Sequence, residues 1–391
     1  MAVFALLLAS CGGGGGGTVP ASQSSTTNGV VTTLSGGLTA ASAAYLNVDL
    51  TNLANYAQPT LPVYYDAQVR GTDNTPANNP TTNAGATLGR VIFYDKRMST
   101  TGTIACASCH QQSIGLTDSA QFSTGVLGTP FAVAHAMRLG NVRYYQPGVM
   151  FWEKTAASIE AQALVPIQNT PEMGWDTAHG GLTALTAQMA TLPYYPELFA
   201  FVYGDAAITV TRLQNAVAQF ERSFITTGSR WDQGYATVYA PNAPQKNLDV
   251  DLPNFTVQEN RGRHLFMAAP QQGGVGCASC HQPPTFALDG NSLSNGLDAG
   301  ETTIFKSPSL KNDSQGPYMH DGRFTTLAQV VTHYNSGIQL GPVLDPRLQR
   351  NGAAIQLNLS TADQAALVAF LQTLDDPTFF ADSRFTNPFK K

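Results

Sequence analysis

The sequence predicts a mostly α fold of two tandem domains of similar plan, connected by long irregular loops. A five-residue pattern, Cys-Ala-Ser-Cys-His, occurs at Cys106–His110 and again at Cys277–His281, which indicates a duplicated unit. Between the two copies, apolar residues recur at helical spacing, as in the Leu, Val and two Phe of segment 213–224. No stretch alternates apolar and polar residues in the manner of a half-buried strand.

The composition is that of a globular protein with few charges. The 391 residues carry a formal net charge of −5, and 12% are charged against a typical share of roughly 25%. Without a cluster of Lys and Arg, nucleic acid is not an expected partner. The 43% apolar content excludes disorder as the main state. No apolar run reaches the ~20 residues of a membrane span, and five cysteines are too few for a disulfide scaffold of this length.

Residues 1–11 are predicted to be a lipoprotein signal. They end in Leu8-Ala9-Ser10-Cys11, which resembles the lipobox of bacterial lipoproteins, where the Cys is acylated and becomes the first residue. A positively charged start is missing, so a short buried apolar segment is the alternative. Residues 12–44, rich in Gly, Ser and Thr, are predicted to be a disordered tether. We expect a lipid anchor only, on the periplasmic side of the envelope and, by analogy from Gly12, at the outer membrane.

The repeated pattern carries the chemistry of covalent haem attachment. Two thiols one helical turn apart can each add to a vinyl group of haem, and the adjacent His can then ligate the iron. Zinc is a weaker explanation, because zinc ribbons bring their Cys pairs closer together in sequence. A thioredoxin-like motif would need a βαβ context, which is absent from the pattern. The sequence therefore predicts two covalently bound haem c groups, attached at Cys106, Cys109, Cys277 and Cys280, with His110 and His281 as iron ligands.

These motifs divide the chain into two tandem cytochrome-c-like haem domains. The N-terminal domain is predicted to cover residues 45–245 and the C-terminal domain residues 246–391, with the boundary in a Pro- and Asn-rich stretch. In the second domain, Ser360-x-x-Asp363 has the pattern of a capping box and predicts the start of a helix that carries several Leu residues.

Several short motifs around the two haem sites resemble those of the bacterial dihaem cytochrome c peroxidases, including the MauG-type members. They occur in the order of that family over about three quarters of the chain. The motifs are Leu88-Gly-Arg-x-x-Phe93-Tyr-Asp95, Phe151-Trp152, Ile159-Glu-Ala-Gln162, Pro166-Ile, Glu172-Met173, Phe305-Lys-x-Pro308-x-Leu310 and Pro317-Tyr-Met-His320-Asp-Gly322. The resemblance implies a haem that reacts with hydrogen peroxide in the N-terminal domain and an electron-transfer haem in the C-terminal domain.

The resemblance also implies roles for four residues near the first haem. Gln162 and Glu172 match the distal pocket, Pro166 matches a pocket-wall position of the MauG type, and Trp152 matches a residue between the haems. Cleaving the O–O bond requires a proton to move from one peroxide oxygen to the other, which the Glu172 carboxylate can do as general base and then acid. Gln162 can donate an orienting hydrogen bond, and Trp152 offers an oxidisable ring.

The sixth ligand of the second haem is predicted to be Tyr334. The resemblance places this residue where peroxidases have Met and MauG-type members have Tyr. The apolar pattern of residues 327–334 puts Tyr334 on the inward face of a helix, whereas His333 lies about 100° away around that helix and is a poorer ligand. Met319 is a further alternative. A phenolate favours oxidised iron, whereas a Met thioether raises the potential and suits electron acceptance from a cytochrome.

The first haem is predicted to have an open sixth position. In regulated peroxidases the loop after the motif carries a blocking His, and the corresponding residues here, Gly125–Gly128, contain none. His135 lies nearby, where the family has an Asn that helps to hold calcium between the domains. We expect a structural role for His135, with ligation of the first haem as the alternative. Whether one calcium ion binds stays open, although Pro317 retains one family position.

Three functions remain open at this point. The first is a MauG-type enzyme that uses hydrogen peroxide to oxidise a protein substrate or an electron donor such as a small cytochrome or copper protein. The second is a cytochrome c peroxidase that removes peroxide, and the third is a dihaem electron-transfer protein without peroxidase turnover. MauG acts through a surface Trp before its second haem motif, but residues 271–276 contain no Trp. Trp231 or one of several Tyr could substitute, although we expect Trp231 to be an ordinary packing residue.

Overall fold

The regular structure is almost entirely helical in a computed structural model that describes residues 36–131 and 134–391. The α-helices of these residues are α1 (Ala40–Ala43), α2 (Ala67–Arg70), α3 (Asn83–Tyr94), α4 (Cys106–Cys109), α5 (Ile159–Gln168), α6 (Gly181–Ala190), α7 (Tyr194–Tyr203), α8 (Val210–Arg222), α9 (Arg230–Val238), α10 (Val257–Met267), α11 (Leu327–Thr332), α12 (Thr361–Gln372) and α13 (Pro377–Ala381). Long irregular segments and short 3₁₀ turns connect them. The predicted mostly α fold with irregular loops is confirmed.

Strands are confined to two short antiparallel pairs in the described residues. β1 (His281–Gln282) pairs with β2 (Ala287–Leu288) directly after the second Cys-His motif, and β3 (Gln349–Arg350) pairs with β4 (Ala353–Ala354). Among the described residues, the helices are all too short or too polar to cross a membrane.

Short polar side chains start the long helices, as the sequence suggests. The Ser360 hydroxyl accepts a hydrogen bond from the Asp363 amide at 3.1 Å, which begins α12 at the predicted place. Thr82 and Thr209 cap α3 and α8 in the same way. Each cap provides a partner for a backbone amide that the first helical turn leaves unpaired.

The duplication extends from the cysteine motifs to a helix pair beside each motif. α3 packs on α8 and α10 packs on α12, and each contact includes the glycine of a Gly-Arg-x-x-Phe pattern, Gly89 in the first pair and Gly262 in the second. A Cβ on Gly89 would overlap the carbonyl of Ala216, and a Cβ on Gly262 would overlap the carbonyl of Ala366. Both halves therefore use the same close helix crossing to build the wall beside a haem motif.

Buried side chains form several clusters, and two of them mix distant parts of the chain. The cluster around α10 and α12 includes Tyr64 and Trp231 from the N-terminal half. The aromatic cluster around Phe93 and Phe220 includes Phe385 from the end of the chain. The described residues belong to one compact unit, and the domain boundaries at 45, 245 and 246 stay predictions.

The predicted lipoprotein signal at 1–11, and the predicted tether up to residue 35, lie outside the described residues. Residues 36–44, the end of that predicted tether, pack against the body. Leu38 is buried, and both the amide and the hydroxyl of Thr39 donate to the Glu197 carboxylate at 2.7 Å. The ordered body thus begins before residue 45.

Candidate active site

The first Cys-His motif forms a single helical turn that prepares one imidazole for ligation. α4 places Cys106 and Cys109 one turn apart, and His110 follows at the end of the turn. The His110 Nδ1 atom lies 3.0 Å from the carbonyl oxygen of Leu116. Because a carbonyl can only accept, Nδ1 carries the proton and Nε2 keeps a free lone pair, the atom that a haem iron requires.

The second motif lines a partly open cavity of ≈ 240 Å³. Cys277, Cys280 and His281 line one part of the cavity, and Tyr334 and Met319 line another. Burial lowers the pKa of His281 to about 4, so the imidazole is neutral and able to ligate a metal. This combination of two thiols, a neutral imidazole and further donor atoms in one mostly apolar cavity fits haem c.

Basic side chains to which the sequence patterns assign no role also line this cavity. The amine of Lys306 is buried, 3.5 Å from the Met137 sulfur and 4.4 Å from the centre of the Tyr145 ring. Burial lowers the pKa of Lys306 to about 7. Arg347 lines the same cavity and donates to the carbonyl of Ser279 within the motif. Lys306 and Arg347 could hold the carboxylates of a haem in this cavity, and the iron of that haem would supply electron transfer.

Glu172 is close to the first motif and in a setting that favours its neutral form. Burial raises the pKa of Glu172 to about 7. Burial also raises the pKa of the Cys106 and Cys109 thiols, and the Glu172 carboxylate adds to both rises, which places it within electrostatic reach of the motif. The Val126 amide bonds to the Glu172 carbonyl, so the loop that lacks a blocking His packs beside this residue.

Gln162 and Pro166 lie one turn apart on α5, which ends just before Glu172. Proline has no amide hydrogen, so the Gln162 carbonyl loses its usual partner four residues later in the helix. Both side chains are partly buried. The two side chains share one face of α5, and their place in the wall of a haem pocket stays a prediction.

A further carboxylate near the first motif had no signal in the sequence. Glu221 is buried on α8, and burial raises its pKa to about 8. It contributes more than Glu172 to the raised pKa of Cys106. In the sequence, nothing distinguishes Glu221 from other residues on the buried face of α8. Only the fold shows that its carboxylate lies near Cys106.

Trp152 joins segments from the two halves of the chain. Its indole nitrogen donates to the carbonyl of His135 at 2.7 Å, and its carbonyl accepts from the amide of Lys306 at 2.6 Å. The ring lies 6.4 Å from that of His320, and Trp152 also lines the cavity of the second motif. Trp152 thus contacts both halves of the chain, and its place between the haems stays a prediction.

Both ring nitrogens of His135 are engaged within the protein. Nε2 lies 2.8 Å from the Thr117 hydroxyl, and Nδ1 lies 3.0 Å from the Gln121 carbonyl. The backbone amide of His135 bonds to the carbonyl of His320 at 2.7 Å. These contacts connect His135 to residues of both halves of the chain, and its structural role and calcium binding stay predictions.

Tyr334 and Met319 share one neighbour, the Asn295 side chain. The amide nitrogen of Asn295 lies 3.4 Å from the Tyr334 hydroxyl and 3.6 Å from the Met319 sulfur. Burial raises the pKa of Tyr334 to about 12, and the thiols of Cys280 and Cys277 add to the rise. His333 instead directs Nε2 to the Asn295 carbonyl at 3.2 Å. Tyr334 and Met319 therefore line the same cavity as the second motif, and ligation of the iron by Tyr334 stays a prediction with Met319 as the alternative.

The local backbone at Tyr334 differs from the expected regular helix. α11 ends at Thr332, and His333–Gly337 forms a π-helix. Such wide turns occur frequently at functional sites, because they redirect a side chain that a regular helix would place elsewhere. The periodic pattern of residues 327–334 contains no signal for this change.

Comparisons with known proteins show the family of this chain. The sequence model of the di-haem cytochrome c peroxidase family matches residues 83–238. Cytochrome c551 peroxidase of Nitrosomonas europaea is 30% identical over 325 residues, which cover 75% of this chain and 81% of that protein. Methylamine utilization protein MauG of Methylophilus methylotrophus is 28% identical over 320 residues, covering 77% and 85%.

Solved structures share the fold. A MauG-like protein associated with microbial copper homeostasis superposes with a TM-score of 0.68 at 25% identity, covering 85% of this chain and 99% of that one. The diheme peroxidase BthA of Burkholderia thailandensis shares the fold with a TM-score of 0.59 at 21% identity, covering 87% and 99%. Two cysteine motifs suited to haem c, matched relatives across most of the chain and a shared fold lead to one conclusion: the chain belongs to the di-haem cytochrome c peroxidase family and is a haem-dependent oxidoreductase.

Proposed function

We propose that this protein reacts with hydrogen peroxide at the N-terminal haem and passes oxidising equivalents through the second haem to a protein or electron donor, as a MauG-like enzyme. The observation that carries this proposal is the Tyr334 phenol in the cavity of the second motif. An oxygen donor on the iron favours the oxidised state and suits storage of oxidising equivalents.

The residues near the first motif supply the proton transfers that this function needs. Glu172 has a pKa of about 7, so near neutral pH it can accept a proton from peroxide and return it to the departing oxygen. Gln162 can donate a hydrogen bond but cannot change its protonation state, which suits an orienting role. Trp152 lies between the two halves of the chain and can carry an electron from one to the other.

A stoichiometric peroxide addition to the oxidised two-haem protein, without any donor, tests the proposal. We expect the optical and spin-resonance spectra of both haems to change and to remain changed for longer than mixing and recording require. Turnover that begins only when a reduced cytochrome is supplied would instead establish the peroxide-removing function. If the spectra of the first haem do not change on peroxide addition, electron transfer remains as the function.

The position of Met319 favours the second candidate function, a cytochrome c peroxidase that removes peroxide. Its thioether lines the same cavity as Tyr334 and contacts the same Asn295 amide. A thioether ligand would raise the potential of the second haem and suit a cytochrome c peroxidase that receives electrons from a carrier protein. Spin-resonance spectra of the oxidised protein separate phenolate from thioether ligation.

We also propose that a lipid on Cys11 anchors the protein to the outer membrane on its periplasmic side. The support is the apolar segment that ends in Leu8-Ala9-Ser10-Cys11. Labelled fatty acid should be incorporated into the protein and absent from a Cys11→Ser variant. Equal labelling of both forms, or no labelling of either, would contradict the anchor.

A further inference from the structure

A row of aromatic side chains leads from the wall of the second cavity into the protein. Phe266 lines the cavity and packs against Phe286, with 5.7 Å between ring centres. Phe286 contacts Trp231 edge-on at 4.9 Å, and Trp231 stacks on Tyr235 at 4.7 Å and 26°. Trp231 therefore lies two aromatic contacts from the cavity.

Tyrosines continue the row to the protein surface. Tyr239, which is partly exposed, lies 5.7 Å from the ring of Tyr235. Tyr64 contacts all three of the other rings, at 5.9 Å from Trp231, 5.0 Å from Tyr235 and 6.2 Å from Tyr239. We call Trp231, Tyr235, Tyr64 and Tyr239 the aromatic relay.

Two of the tyrosines have a carboxylate that can take their proton. The Tyr239 hydroxyl donates to Asp66 at 3.0 Å, and the Tyr64 hydroxyl donates to Asp232 at 2.8 Å. A tyrosine that loses an electron becomes strongly acidic, so a hydrogen-bonded carboxylate allows the electron and the proton to leave together. Asp66 is partly exposed and can release that proton to solvent.

Trp231 is suited to passing an electron but not to remaining oxidised. Its indole nitrogen is buried and has no hydrogen-bond partner among the described residues, so the proton has no acceptor. The Lys311 ammonium lies 4.8 Å from the ring centre, which opposes a positive charge on the ring. The oxidised state should therefore rest on the tyrosines, where proton acceptors are present.

We propose that the aromatic relay conducts electrons from the surface at Tyr239 to the second haem after peroxide has oxidised it, an inference that rests on the proposed function. One electron moves from Tyr239 through Tyr235 or Tyr64 and Trp231 to the oxidised haem, and the phenolic proton moves to Asp66. An external one-electron reductant then returns the electron to the tyrosyl radical, and the proton returns with it. Tyr239 is thus the surface residue at which the reductant is oxidised.

Spin-resonance spectra of the two-haem protein frozen after peroxide addition test the relay. Wild-type protein should show a tyrosyl radical, identified by the narrowing of its signal when the protein contains ring-deuterated tyrosine. Tyr239→Phe should lose most of this signal, and Trp231→Phe should slow its appearance about tenfold or more. Tyr203→Phe is the matched control, because its hydroxyl donates to the Arg212 carbonyl and the residue lies outside the relay.

The outcomes separate the relay from the proposed function. If the haem spectra respond to peroxide but no tyrosyl radical forms, or the radical persists unchanged in Tyr239→Phe and Trp231→Phe, the relay is wrong and the peroxide reaction stands. If the haem spectra do not change after peroxide addition, the proposed function fails. A second measurement then tests whether the aromatic relay conducts electrons.

The second measurement needs no peroxide. A ruthenium photo-oxidant attached to Ala236→Cys, an exposed position on α9, withdraws an electron on illumination from protein whose haems have been reduced. Oxidation of the second haem should be about tenfold slower in Trp231→Phe than in the parent. Equal rates would overturn the relay, and haem content checked in each variant ensures that a folding defect is not mistaken for a lost route.

Discussion

Glu172 follows the turn after α5 and has lost most of its contact with water. A carboxylic acid ordinarily releases its proton near pH 4, but burial raises the pKa of Glu172 to about 7. The carboxyl also lies within electrostatic reach of both thiols of the first motif. A group that exchanges its proton near neutral pH beside a peroxide site has the properties of a general acid–base residue.

Replacing this carboxyl should slow the reaction with peroxide. We expect Glu172→Gln to reduce the rate of peroxide reaction at the first haem by at least ~100-fold, because Gln keeps the shape but cannot carry a proton. Stopped-flow absorbance measures this rate. Glu153→Gln is the control, since Glu153 is exposed and adjacent to Trp152. Equal rates in wild type and Glu172→Gln would remove Glu172 from the mechanism.

The pH dependence of the same rate follows from the raised pKa. Below pH 7 the Glu172 carboxyl is mostly protonated and cannot act as a base, so the rate should fall about tenfold per pH unit at low pH. Above pH 7 it should reach a plateau. In Glu172→Gln this dependence should disappear, and a wild-type rate that is flat between pH 5 and pH 8 would contradict the assignment.

Tyr334 allows a test of the second haem alone. We expect Tyr334→Met to raise the reduction potential of the second haem and to change its spectrum, because a neutral thioether favours reduced iron more than an oxygen anion does. Tyr318→Phe is the control, since Tyr318 is a buried phenol that lines the same cavity. Potentiometric titration measures both variants. An unaltered potential and spectrum in Tyr334→Met would assign the ligand to another residue, with Met319 the first to examine.

At the scale of elements, each half depends on a helix crossing that only glycine permits. The backbones of α10 and α12 approach so closely that a Cβ on Gly262 would overlap the Ala366 carbonyl and touch Phe370. Gly89 has the same relation to Ala216 and Phe220 in the first half. Because the obstacle is backbone, a side-chain rotation cannot relieve it.

The close helix crossing predicts whether a glycine substitution raises or lowers the free energy of unfolding. In an unobstructed helix, Gly→Ala stabilises by roughly 0.5–1 kcal/mol. Gly262→Ala should instead lower the free energy of unfolding by about 1–3 kcal/mol, the usual cost of overpacking. Gly140→Ala, where a Cβ would meet nothing within 4 Å, should change it by less than ~0.5 kcal/mol. Chemical denaturation measures both, and a stabilised Gly262→Ala would show that the helices can separate without cost.

At the scale of the whole molecule, the end of the chain returns to the first half. Phe379 and Phe385 pack into the aromatic cluster with Phe93 and Phe224, close to the first motif. Gln112, two residues after His110, donates a side-chain hydrogen bond to the Phe379 carbonyl at 2.7 Å. The C-terminal residues are therefore part of the support for the first haem site.

This packing predicts that a substitution near the C-terminus affects the first haem more than the second, although the second motif is closer in sequence. We expect Phe379→Ala to destabilise the protein by about 3–5 kcal/mol, the range for deleting a buried aromatic ring. The optical spectrum of the first haem should change while that of the second does not. Phe380→Ala is the control, because the neighbouring ring is only partly buried. Equal changes in both haem spectra would contradict the local support.

The sequence predicted more of the attachment chemistry than of its surroundings. A thiol and imidazole pattern is local, so Cys106–His110 and Cys277–His281 could be recognised without a fold. Lys306 and Glu221 could not, because nothing in their neighbours distinguishes a buried charge from a solvated one. The π-helix after Thr332 could not be predicted either, because the spacing of apolar residues does not indicate a widened helical turn.

By itself, the sequence determined the mostly α class, the two haem attachment motifs and, through resemblance, the candidates Gln162, Glu172, Trp152, Pro166 and Tyr334. Tertiary structure decided which side chains meet across long separations, such as Trp152 with His135 and Lys306, or Trp231 with Tyr64. The physical reason is that covalent attachment depends on spacing along the chain. Burial, shifted pKa values and ring contacts depend on how distant segments pack, and packing is a property of the whole fold.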